Sequence, residues 1–195
     1  TPSHWSQERL VASGMEAAHI HVIAHAAHPG YFKPLDNSHI QTLRRSLAYQ
    51  AEDVLLLNVG AYLWTKGPDL LVKAFALARR KNKHLKLILK DQASTALRSA
   101  HAHVSQCLQE IGLCDDDTMA SIRIIQDKLD LTQLNALYNL ADAYVTPYRA
   151  EGFNLPACEA QACATPVLAT QGGATDDYLL RNGANHFIAG TLHEN

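Results

Sequence analysis

The 195-residue sequence has no uninterrupted apolar run near the ~18 residues that a membrane-spanning helix needs, and no signal-peptide pattern at its front. It lacks a basic surplus: seventeen Lys plus Arg stand against nineteen Asp plus Glu, a formal net charge of −2, so nothing in the balance draws it to nucleic acid or anionic lipid. Only four cysteines occur, at 107, 114, 158 and 163, and none forms a CxxC pair. They read as reduced core thiols of a cytoplasmic protein rather than as a disulfide framework or zinc site. The initiating Met is missing too, since the chain opens on Thr1-Pro2-Ser3-His4-Trp5, as expected of a piece cut from a longer chain. What is present is an ordinary globular mixture, 47% hydrophobic and 18% charged, which excludes wholesale disorder. A chain of this length buries roughly 70% of its unfolded surface without a metal or disulfide staple.

From residue 54 onward, short apolar runs alternate with stretches of helical periodicity. Val54–Val59, Leu85–Leu89, Ile122–Ile125, Ala143–Thr146, Pro166–Thr170 and His186–Ile188 read as strands. Between them, Asp69–Lys81, Thr95–Ile111, Thr132–Leu140 and 155–163 read as helices, and Gly112 stops the second of these. This alternation predicts an α/β fold, a doubly wound, Rossmann-like parallel sheet of about six strands with helices on both faces. Ligands of such sheets collect beyond the carboxyl ends of the strands. The first 53 residues differ: a short helix capped by Ser3 or Ser6 runs to Ser13, His19–Ile23 alternates like a strand, and Ile40–Gln50 reads as a helix.

Three strand-exit segments carry the candidate chemistry. Pro147-Tyr148-Arg149-Ala150-Glu151-Gly152-Phe153-Asn154-Leu155-Pro156 leads into a helix whose first turn tolerates Pro156. Free N–H groups at Phe153, Asn154 and Leu155 suit an anion, and Gly152 permits close approach of a ligand. Glu151 and Glu159 flank that nest, and their carboxylates suit the hydroxyls of a ribose or hexose; a solvated carboxylate pair at a helix start is the bland alternative. Asn58-Val59-Gly60-Ala61-Tyr62-Leu63-Trp64-Thr65-Lys66-Gly67 places Lys66 where the helix dipole disfavours a cation unless an anion lies between. Its glycines match neither GxGxxG nor GxxxxGK[ST]. Thr170-Gln171-Gly172-Gly173 is a third backbone-approach loop, with Asp176 or Asp177 capping a following helix. Eleven histidines include the close pairs His19/His21, His25/His28 and His101/His103, but no carboxylate or Cys at ligand spacing accompanies them, so no metal site is expected.

Together these segments resemble the C-terminal, donor-binding domain of family-four retaining glycosyltransferases of the GT-B fold (glycosyl transferases group 1). The family's Glu-Gly-Phe-Gly-Leu-Pro-x2-Glu stands here as Glu151-Gly152-Phe153-Asn154-Leu155-Pro156, ending in Glu159. Its Gly-Arg-x5-Lys-Gly is matched by Gly60, Lys66 and Gly67. Residues 162–167 match its Ala-Cys-Gly-x-Pro-Val. The resemblance implies that residues 1–36 are an interdomain connection with a first strand and 37–195 a nucleotide-sugar-binding domain. It implies Lys66 on the donor diphosphate, Glu159 on the ribose hydroxyls, Glu151 on the donor sugar, and the amides of Phe153, Asn154 and Leu155 on phosphate or sugar oxygens. Gly60 and Gly152 would lie against the donor, and by location Gln126, Asp127 and Leu129 would line the base.

The substrate so implied is a UDP- or GDP-sugar, with no metal or other cofactor. A hexosyl group would pass to a carbohydrate, lipid-linked or protein acceptor held by an absent N-terminal domain, and only the parent would associate peripherally with a membrane. The isolated domain would bind donor with little transfer. A scaffold module, a sugar phosphorylase and a nucleotide-sugar epimerase are the competing readings. The sequence departs from the family where its Arg is Ala61, a loss worth about 2.7–4 kcal/mol for one such donor unless Arg149 substitutes. It departs again at Asn154, in place of the second Gly, and at His25-Ala26-Ala27-His28. Glu159→Ala is expected to weaken nucleotide binding by roughly 1–3 kcal/mol with little loss of fold.

Overall fold

Alternation within one strand explains the layering. In β1 (Val54–Gly60) Leu55, Leu57 and Val59 are buried, and they share one core with helix α6 (Leu131–Leu140) and helix α7 (Leu155–Ala162). In β2 (Leu85–Asp91) the face alternates: Ile88 joins that core, while Leu87 and Leu89 pack into a second core on the other side of the sheet. Leu71, Val72 and Phe75 of helix α3 (Pro68–Arg79) build the second core with Val104 and Leu108 of helix α4 (Ala100–Glu110). The computed structural model describes residues 1–91, 100–179 and 183–190.

β3 (Ile122–Ile125), β4 (Ala143–Thr146), β5 (Val167–Thr170) and β6 (His186–Ile188) complete a six-stranded sheet in the order β3-β2-β1-β4-β5-β6. Every pairing is parallel. The chain therefore winds outward from β1 in both directions, and the order reverses between β1 and β4. This is the crevice in which doubly wound sheets bind ligands.

The six strands and both helical faces agree with the sequence reading, and the exceptions have physical causes. His19–Ile23 joins no sheet: Ala17–His19 is a 3₁₀ turn, and the extended segment after it bonds only to Thr1, through Ile23 N–H and His21 C=O. Ile23 is 77% exposed, so no apolar face holds a strand there. Helix α2 (Asn37–Ser46) stops short of Gln50, and buried Arg44 pairs with Asp142. Asp176 and Asp177 lie in a 3₁₀ turn (Ala174–Asp177) rather than capping a helix. Asp177 instead accepts from His4 N–H, tying down helix α1 (His4–Ala12), which Ser3 caps. Helix α5 (Asp116–Ala120), capped by Asp115, is one turn long and has no apolar period by which to recognise it. The expected helix start at 95–99 lies outside the described residues.

Candidate functional site

The carboxyl ends of β1 and β4 open into a cavity of about 610 Å³ between β1, α6 and α7. Gly60, Lys66, Glu151, Asn154, Leu155 and Glu159 all line it. The sequence had named each of them, and the fold brings them together from three segments.

The N-terminus of α7 is built for an anion by what its carbonyls do. Gly152 C=O accepts from Ser3 and Ser6 Oγ at 2.7 and 3.0 Å, while Tyr178 Oη donates to Phe153 C=O and Asn154 C=O at 2.9 and 2.8 Å. In trans peptides the following N–H groups point the opposite way. Among the described residues no backbone carbonyl accepts from the N–H groups of Asn154 and Leu155, the two residues of this turn at the cavity. Asn154 caps the helix in the left-handed region (φ 66°), and its side chain donates to Thr146 Oγ1 at 2.9 Å. The Phe153 ring faces away, stacked on Tyr178 and edge-on to His25, so this residue can offer a ligand only its backbone.

Lys66 Nζ stands 2.5 Å from Glu151 Oε1, and the Glu151 side chain is only 8% exposed. Lys66 is held by the turn Trp64–Lys66 and by Gly67, whose φ of 68° starts α3 against the β4 exit. Glu159 is 9% exposed, and one carboxylate oxygen, Oε2, accepts from Tyr138 Oη at 2.7 Å. Burial raises its pKa above the ordinary glutamate value, and the Tyr138 hydrogen bond opposes that rise. Gly60 presents its bare side to open space, with no atom within 4 Å of where a Cβ would sit.

Two expectations fail on geometry. Arg149 does not replace the arginine missing at Ala61: its guanidinium makes a bidentate pair with Asp69 (2.7 and 2.7 Å), donates to Trp64 C=O and stacks over the Trp64 ring. That pairing also holds Asp69 below the usual carboxylate range. Gln126, Asp127 and Leu129 are not in the cavity wall; Leu129 packs on the core, and Gln126 and Asp127 are exposed. Leu131 and Leu134, one helical turn apart on α6, line that end instead. An exposed Leu at the first position of a capped helix was the available signal for them. Tyr138, Asn58 and Thr146 were also missed, because they read as core or strand residues.

A second cavity of about 470 Å³ lies on the opposite side of α7, walled by Val22, His25, Phe153, Cys158 and Tyr178. Among the described residues no cluster of three or more His, Cys, Asp or Glu is arranged to hold a metal ion, and no helix is long and apolar enough to cross a membrane.

The sequence model described as "Glycosyl transferases group 1" matches residues 39–192. The chain belongs to that family. Among curated relatives, a D-inositol 3-phosphate glycosyltransferase of Segniliparus rotundus is 31% identical over 144 residues, covering 74% of this chain and 30% of the relative. Mannosylfructose-phosphate synthase of Agrobacterium fabrum is 29% identical over 171 residues, 82% of this chain and 34% of that protein. The chain thus spans about a third of the length of these two relatives. Among solved structures, HepE of Anabaena in complex with UDP and glucose superposes with a TM-score of 0.80 at 18% identity, over 97% of this chain and 48% of that one. The C-terminal domain of a group 1 glycosyl transferase from Francisella tularensis, solved by itself, gives a TM-score of 0.68 at 21% identity over 84% and 80% of the two chains. The fold is thus the Rossmann-like half of a GT-B glycosyltransferase.

Proposed function

We propose that this chain is the donor-binding half of a retaining glycosyltransferase that moves a hexosyl unit from a nucleoside diphosphate to an acceptor hydroxyl. One observation carries the proposal: a cation, two carboxylates and two free helix-terminal amides converge on one cavity at the switch point of the sheet. In this reading the diphosphate lies on the Asn154 and Leu155 amides, where the α7 dipole favours negative charge, and draws Lys66 to itself. Glu159 accepts from the ribose hydroxyls, and the base rests on Leu131 and Leu134. Glu151, released by Lys66, accepts from hydroxyls of the donor sugar. In the transfer the acceptor oxygen bonds the anomeric carbon as the bond from that carbon to the diphosphate breaks. The diphosphate leaves with the electron pair and takes up the acceptor proton. Lys66 and the helix dipole stabilise its developing charge without a metal ion. A second domain supplies the acceptor and excludes water. The UDP complex of the Anabaena neighbour supports a nucleotide-sugar donor.

A second reading, a module that binds no donor, draws on Ala61 together with the diversion of Arg149 to Asp69. Calorimetric titration with UDP and with GDP separates the two. The donor-binding half gives saturable heat with one of them that Lys66→Ala reduces; a scaffold gives heat with neither.

Glu159→Ala is now expected to do two things rather than one. It removes the ribose acceptor, weakening nucleotide binding by roughly 1–3 kcal/mol, and it strands the fully buried Tyr138 hydroxyl, a further cost of about 1–3 kcal/mol to the fold. Thermal melting beside calorimetry checks both: Glu159→Gln, which keeps an acceptor for Tyr138, loses affinity with a smaller drop in Tm.

A further inference from the structure

We infer that Tyr138 is a positioning residue for the cavity: by donating to Glu159 Oε2 it keeps that carboxylate ionised and leaves Oε1 free to accept from a hydroxyl-bearing ligand. This rests on the reading of Glu159 as the hydroxyl-binding group of the site. Tyr138 is fully buried, and its ring is fixed edge-on between Phe32 and Tyr144. Its backbone carbonyl is held by Thr165 Oγ1 at 2.8 Å. The phenol therefore has one direction in which to donate, and Glu159 Oε2 lies there at 2.7 Å. Among the described residues no group donates to Oε1, and Glu159 lines the cavity. One oxygen is spent on orientation, and the other remains as a single, aimed acceptor.

The device meets a specific electrostatic problem. The titratable groups that act on Glu159 are Tyr138 from α6, Tyr144 from β4, and Cys158 and Cys163 on its own helix. None is a cation, and β5, packed on the same helix, has no titratable side chain. Lys66 shares the cavity but is paired with Glu151. Desolvation thus drives Glu159 toward its neutral form, and a protonated carboxyl is a poorer acceptor for a diol. The phenol opposes the rise, and its own pKa is far too high for it to give up the proton.

The signs for stability and binding differ. A carboxyl whose folded pKa is raised adds stability below its unfolded pKa, and that contribution is lost as pH rises through the folded pKa. Ligand hydroxyls need the ionised form, so affinity is lost as pH falls through the same folded pKa. Removing the phenol moves that loss to higher pH.

The test is a carbon-13 NMR titration of the Glu159 carboxyl in the wild type and Tyr138→Phe, assigned with Glu159→Gln, beside the pH profile of UDP affinity. Tyr138→Phe should raise the Glu159 midpoint by about one pH unit or more, the worth of a hydrogen bond to a charged group. A ring-fluorinated tyrosine at 138, a stronger donor of nearly unchanged size, should lower it, and this variant keeps the test open if the phenylalanine fails to fold. A midpoint unmoved by either substitution overturns the inference. A midpoint that moves while UDP binds to neither protein sustains the Tyr138–Glu159 device and overturns the donor reading. A midpoint that moves with the acid limb of UDP affinity following it supports both.

Discussion

Glu151→Gln binds UDP more tightly than the wild type, by about tenfold (~1.4 kcal/mol), while transfer by a full-length enzyme carrying it is lost. The gain follows from the 2.5 Å pair of Lys66 and Glu151, set in a cavity where the Glu151 side chain is only 8% exposed. A diphosphate entering this site must take Lys66 from Glu151 and then tolerate a carboxylate nearby. Two like charges ~5 Å apart repel by about 3 kcal/mol at an effective dielectric of 20, so even a partly screened repulsion is measurable. The neutral amide removes the competitor and the repulsion, and Lys66 is free for the phosphate oxygens. Transfer is lost because Glu151 is the group left to hold the donor sugar. Lys66→Ala should move in the opposite sense and lose UDP affinity. Calorimetry on the three proteins gives the answer. Equal UDP affinity in the wild type and Glu151→Gln would mean that Lys66 never leaves Glu151 and that the anion sits elsewhere.

Gly67→Ala should be the most damaging single methyl in the chain. Gly67 has φ 68°, where an alanine costs ~1–2 kcal/mol, and its added Cβ would lie 2.0 Å from the Pro147 carbonyl oxygen. Both partners are backbone, so no side-chain rotation relieves the contact. The β1 exit and the β4 exit, which carry Lys66 and Glu151, must then move apart. A destabilisation beyond about 4 kcal/mol is expected, among the largest single-residue effects, which lowers Tm by roughly 8 °C or more in a chain of this size. Gly60→Ala is the control. Its Cβ meets no atom within 4 Å, so the melting temperature should hold, while the methyl intrudes on the cavity and lowers nucleotide affinity. A Gly67→Ala protein that melts with the wild type would show that the two exits are not in the close contact described.

The two glycines also show what the sequence could and could not reveal. Short buried runs between helical stretches were enough to predict six strands, because a parallel sheet covered on both faces needs apolar residues on both sides of a strand. Glu151, Glu159 and Lys66 were legible as site residues because they leave strand ends at fixed spacings. What stayed hidden is long-range. The serines that hold the Gly152 carbonyl, and so turn the α7 amides toward the ligand, lie 149 and 146 residues away in sequence. Arg149 sits within two residues of Glu151, yet its partner, Asp69, is 80 residues distant and removes it from the site. Tyr138 looked like one more core aromatic until its hydroxyl was placed on Glu159, and the helix position of Leu131 and Leu134, not the loop before it, set the far wall of the cavity.

Co-crystallisation with UDP tests the placement of the nucleotide most directly. The account requires the phosphate oxygens within hydrogen-bond distance of the Asn154 and Leu155 amides and of Lys66 Nζ, with a ribose hydroxyl on Glu159 and the base over Leu131 and Leu134. UDP ordered against Val22, His25 and Tyr178 on the other side of α7, or bound with Lys66 still on Glu151 and the ribose turned from Glu159, would contradict it.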